Sequence, residues 1–174
     1  RDRQKKRLRT AILLLALVAL LLAAARWGVP YAVSLFAQDK LDRGLAADAK
    51  KLYALIDRYW PEEFGAKAGM DAAEQKIIDG LMNVGTDAAY EQAALRAAAI
   101  GDTAREEKAV IARAELAAAN GDTGAAEALL APLEDNEEAQ SALRRLIYDV
   151  AKAAKEKLDY PTAIARFDSL GDYE

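Results

Sequence analysis

From Thr10 to Ala25 the chain runs without a charge, with Leu on every face and no polar stripe. As helix this stretch is ~24 Å long, a little short of a hydrocarbon core of about 30 Å. Arg9 and Arg26 bracket it and can snorkel outward, and Trp27 and Tyr31 are the amphipathic aromatics expected at a membrane surface. The pattern predicts a transmembrane helix over residues 10–29, with Pro30 breaking or kinking it. A buried core helix with this pattern would need a large protein around it. A cleaved signal peptide is a closer rival, since a basic start, an apolar stretch and Ala23-Ala24-Ala25 match its three regions. Against it, the chain opens with Arg rather than Met, so further residues are expected upstream.

After Pro30 the periodicity is helical throughout. Leu41, Leu45, Ala49, Leu52, Ile56 and Tyr59 fall at helical spacing and predict one long helix leaving the membrane and ending at Trp60-Pro61. Further helices are predicted over 71–82, 86–99, 103–119, 123–133, 137–156 and 161–170, separated by short Gly, Pro and Asp clusters. Two buried faces are explicit. Ala139, Leu143, Leu146, Ile147, Val150 and Ala154 share one side of their helix, with Arg144, Arg145, Asp149, Lys152 and Lys155 on the other. In the helix from Thr103 the stripe is Val110, Ile111, Ala114, Ala117 and Ala118. Joints this short make neighbouring helices antiparallel.

Composition sharpens the picture. The 174 residues include 41 Ala but only 10 Gly and 4 Pro, which argues for an all-α chain. An Ala-rich core stabilises each helix weakly, so several hairpins stacked in series, a solenoid, are expected. Arg1, Arg3, Lys5, Lys6, Arg7 and Arg9 against Asp2 form a basic start, although the whole chain carries −4. Basic residues directly before an apolar run point to a membrane rather than nucleic acid, and place the N-terminus in the cytoplasm. Residues 1–9 then form a basic cytoplasmic tail, which fixes topology or binds anionic lipid. Residues 31–174 form an extracytoplasmic helical repeat domain. No small-xxx-small Gly pair stands in the span to specify a helix dimer.

Internal repetition supports the solenoid. Residues 121–133 can be laid on 158–170 at an offset of 37, matching Asp122 with Asp159, Ala126 with Ala163, Leu130 with Phe167 and Leu133 with Leu170. This pattern resembles a tetratricopeptide-type repeat, whose second helix carries Ala, three residues, then an aromatic, after a Gly-Asp-Tyr-like turn. Asp159, Tyr160, Ala163 and Phe167 match that half, and Ile147, Val150 and Ala151 suit the preceding helix. Ala154 stands where an aromatic is usual. The earlier unit keeps Gly121, Asp122, Ala126 and Leu130 but has Arg113 where a large apolar residue is expected. The membrane segment and the last residues also resemble uncharacterised bacterial single-pass proteins in which a zinc ribbon precedes the span and a helical repeat array follows. The zinc-ribbon cysteines are not in this chain, so that part, if there is one, can only lie upstream. Asp172-Tyr173-Glu174 would introduce a further helix, and the array is expected to be truncated there.

Chemistry is sparse. With no Cys and no His, disulfides, thiol catalysis, Cys/His zinc sites, catalytic triads and imidazole bases are excluded from these residues. The Gly-Asp-Thr triplets at Gly101 and Gly121 could touch a phosphate or cation, but these are also the residues that end one helix and cap the next. Glu134-Asp135-Asn136-Glu137-Glu138 lacks the ligand spacing of a calcium loop and lies where a helix begins. Tyr53, Tyr59, Trp60 and Phe64 form the largest aromatic group, open to a packing or a ligand-groove reading. There is no Walker loop, Rossmann glycine set or nucleophile elbow. No catalytic residue, cofactor site or metal site is assigned, and the chain is expected not to be an enzyme. The expectation is a membrane-anchored scaffold for an unidentified protein or peptide partner at the bacterial envelope, without nucleic acid. The rival is a non-catalytic accessory subunit of a membrane enzyme or secretion complex, docked through its span.

Overall fold

The computed structural model describes residues 2–171, with side chains from Arg9 onward. The basic side chains of Arg1 to Arg7 and the expected continuation at Asp172-Tyr173-Glu174 therefore lie outside the described residues. Among the described residues the chain is helical, without a strand. It divides into two compact units, Arg1–Lys76 and Ile77–Glu174, a division that falls within a helix.

In the first unit, α1 (Asp2–Ala23) passes through a single π-helical turn (Ala24–Gly28) into α2 (Val29–Asp42). Pro30 therefore does not end the helix. A proline removes one N–H and crowds the carbonyl four residues back. Here the turn is widened, the Val29 N–H reaches the Ala24 carbonyl, and Pro30 sits at the first positions of α2. The stretch Arg9–Asp42 is long and apolar enough to cross a membrane, and no part of its most apolar window is covered by protein.

The predicted single helix to Trp60 is two helices, α2 and α3 (Ala46–Tyr59). Between them Gly44 adopts φ +79°, and the Leu45 N–H turns back to the Lys40 carbonyl at 2.9 Å. Periodicity alone missed this break because Leu41, Leu45 and Ala49 stay in phase across it. The two helices pack as a hairpin, burying Ala37, Leu41, Ala49, Tyr53 and Ile56. The next helix, α4 (Ala66–Val84), begins five residues before the predicted start. Its Gly69 lies against the Tyr53 ring, where any β-carbon would collide. The Tyr53 hydroxyl donates to Gln38 Oε1 at 3.1 Å.

The second unit holds the rest of α4, then α5 (Asp87–Ile100), α6 (Thr103–Ala119), α7 (Thr123–Leu130), α8 (Glu137–Glu156) and α9 (Tyr160–Asp168). The helix predicted over 123–133 stops at Leu130, and the last runs from Tyr160 to Asp168 in place of 161–170. Helices α5 with α6, α6 with α7 and α8 with α9 pack in pairs, and α8 also rests on α6 and α7. One apolar cluster joins Ile78, Ala93, Ala97 and Ala109, and another joins Ile111, Ala114, Ala126, Leu130 and Ala139. Ala accounts for most of both. A buried methyl contributes roughly 0.8 kcal/mol, against about 1.5–3 for a Leu or Ile side chain.

Three of the joints are built alike. A residue in the left-handed region, Gly101, Gly121 or Leu158 (φ +72°, +86° and +64°), is followed by Asp102, Asp122 or Asp159. Each Asp N–H reaches a carbonyl five residues back, on Ala97, Ala117 or Ala154, at 2.9 Å. Each Asp carboxylate then accepts the N–H three residues on, from Arg105 at 3.1 Å, Ala125 at 3.0 Å and Thr162 at 3.3 Å.

Candidate functional site

In the second unit, α6, α7 and α8 enclose a groove of about 420 Å³. Ala114, Ala118, Leu130, Ala142, Leu146 and Val150 supply its apolar lining. The small residues on α6 leave this room: Ala114 and Ala118 present only methyl groups to the longer side chains of α8. Glu115, Arg145 and Asp149 add charge at the groove, and the Arg145 guanidinium reaches Glu115 at 3.4 Å. Such a surface suits an apolar side chain flanked by a polar or charged group. Leu143, Leu146, Ile147 and Val150, placed on the buried side of α8 by the sequence, are only half-buried; Leu146 and Val150 line this groove.

The features singled out in the sequence have local structural roles here. Asp102 and Asp122 are helix caps. Asp102 also accepts from the Arg105 guanidinium at 2.7 Å, and this bond, helped by the Arg105 backbone N–H, holds its carboxyl below the ordinary range. In the acidic run Glu134 to Glu138, Asn136 caps α8 by accepting the Ala139 N–H at 2.9 Å, and its side-chain amide donates to Glu107 at 2.6 Å. The aromatic group forms two sets of contacts. Tyr53 and Phe64 line a hollow of about 390 Å³ with Leu35 and Leu41. Tyr59 stands edge-on to Trp60, with ring centroids 6.0 Å apart. Among the described residues no group of three or more Asp or Glu is placed to hold a metal ion.

Long-range ion pairs were not legible in the sequence. The Arg26 guanidinium grips the Glu63 carboxylate with both nitrogens, one bond being 2.6 Å, and this holds the Glu63 carboxyl below its ordinary range. Lys50 pairs with the buried Glu74. Arg113, which departs from the repeat pattern, reaches Asp87 at 2.7 Å and Glu91 at 3.6 Å, so that the position serves an inter-helix ion pair. Arg166 meets Glu127 at 2.9 Å. Partners lying 22 to 39 residues apart leave no trace in helical periodicity.

No protein-family model, no curated protein and no solved structure matches this chain.

Proposed function

We propose that this protein is a membrane-anchored scaffold of tetratricopeptide type at the bacterial cell envelope, non-catalytic and without a cofactor. Its span crosses the plasma membrane once, and the basic start remains in the cytoplasm. The helical hairpins stand on the extracytoplasmic side and engage a protein or peptide partner. The observation that carries this reading is the uncovered apolar helix joined to hairpins that reuse one left-handed, Asp-capped turn. The groove beside Leu146 and Val150 is the surface offered for a partner's apolar side chain, with Arg145, Glu115 and Asp149 able to select its neighbours.

The accessory-subunit reading rests on the same uncovered span, with neighbouring transmembrane helices in place of lipid. Exchanging residues 10–29 for an unrelated apolar helix separates the two. A scaffold keeps its partner after the exchange, and loss of the partner with the membrane location retained would favour the docked subunit.

A further inference from the structure

We infer that the turn between α3 and α4, carrying Tyr59 and Trp60, is a second membrane contact that rests in the headgroup layer of the bilayer the span crosses. This inference rests on the membrane reading above and extends it from the span to the first hairpin.

The geometry begins with chain length. α2 leaves the π turn and runs 14 residues; α3 returns over 14 residues and packs on it. A hairpin with equal arms brings its far end back to the level at which it started. The ion pair fixes that level, because Glu63, in the turn, is held by Arg26, in the last part of the span. Arg26 is followed at once by Trp27, and Tyr31 lies one turn further on. They are 60% and 59% exposed, as residues immersed in the interface would be. Tyr59 and Trp60 are thus carried to the same height as Trp27.

The side chains suit that location. Tyr59 is 61% exposed although it ends a helix whose other face is buried. Tyr and Trp pair an apolar ring with one hydrogen-bonding group, which favours the boundary between hydrocarbon and water. The Arg58 guanidinium lies 5.7 Å from the centre of the Tyr59 ring and places a cation where lipid phosphates would be. Glu63 would be unwelcome beside phosphates as a lone anion, but Arg26 compensates it. The backbone of the turn is also unusual: Glu62, Phe64 and Gly65 all have positive φ, at +64°, +52° and +65°. Two non-glycine residues in that region within one turn are held there at a cost in backbone energy. In that turn Tyr59 is exposed and Trp60 is half-buried.

Trp27 and Trp60 are the two tryptophans of the chain, so each can be read alone. The full chain would be reconstituted into phosphatidylcholine vesicles as the Trp27→Phe and Trp60→Phe variants, with bromines placed near the carbonyl end or near the methyl end of the acyl chains. In Trp27→Phe, Trp60 is expected to lose more of its emission to the shallow bromines than to the deep ones, as an interfacial aromatic does. Adding Glu63→Gln to Trp27→Phe should weaken that quenching, while the same change in Trp60→Phe leaves the Trp27 signal in place. Unquenched Trp60 beside quenched Trp27 would overturn the second contact and keep the span. If neither is quenched, the membrane reading fails and takes this inference with it.

Discussion

Leu158 occupies the backbone position that Gly121 holds one hairpin earlier: both have positive φ, +64° and +86°, and both precede an Asp that caps the next helix. A left-handed backbone costs a residue with a β-carbon roughly 1 kcal/mol that glycine does not pay. Leu158 is 70% exposed, so its side chain returns little of that cost through burial. Leu158→Gly is therefore expected to raise stability by up to about 1 kcal/mol, read as a higher denaturant midpoint. The converse, Gly121→Leu, should lower it by a similar amount. Equal midpoints for Leu158→Gly and the parent chain would show that the turn does not strain Leu158.

The Asp102 cap makes stability depend on acid. Its carboxyl titrates below the ordinary value of 3.8 because the Arg105 side chain and backbone N–H favour the charged form. The contribution is therefore fully present above that ordinary value and is lost as pH falls through the lower folded value. Asp102→Asn keeps a capping oxygen but removes the charge. The prediction is a difference in melting temperature between parent and variant that is largest near neutral pH and shrinks in acid below the ordinary carboxylate range. A difference that stays constant well below that range would contradict the assignment.

Gly69 is required by the ring of Tyr53. A methyl group there would collide with the ring, and Tyr53 is pinned by burial and by its bond to Gln38. Gly69→Ala should therefore destabilise the first unit by roughly 1–3 kcal/mol, despite the better helix propensity of Ala. Adding Tyr53→Phe, which frees the ring from Gln38, should recover part of the loss in a double-mutant cycle. An additive cycle would mean that the bond to Gln38 does not hold the ring against Gly69.

These residues also mark what the sequence made legible. The all-α class, the Asp caps and the burial of Ile111 and Ala114 on α6 and of Ala139 and Ala154 on α8 follow from local rules, because composition, cap chemistry and a 3.6-residue period act over a few residues. Two local rules misled. Of the break or kink expected at Pro30, the break is absent, since a wider turn before it carries the helix on. The joint at Gly44 was hidden because the apolar spacing continues through it. The groove was not legible at all, since its volume depends on how far Ala114 and Ala118 let α8 approach. The Arg26–Glu63 pair was equally hidden, as its level is set only when α3 returns along α2. Arg113 is the clearest single case: a residue that spoils a repeat pattern becomes intelligible once Asp87 and Glu91 are seen beside it.

The proposed topology, a span with the helical hairpins outside the cytoplasm, is directly testable because the chain contains no Cys. Single cysteines at Gln4 and at the exposed Ser141 on α8 would be treated in intact cells with a membrane-impermeant maleimide. Labelling is expected at Ser141→Cys in intact cells and at Gln4→Cys only after permeabilisation. Labelling at Gln4→Cys alone in intact cells would reverse the orientation and make the hairpins a cytoplasmic assembly tethered to the membrane.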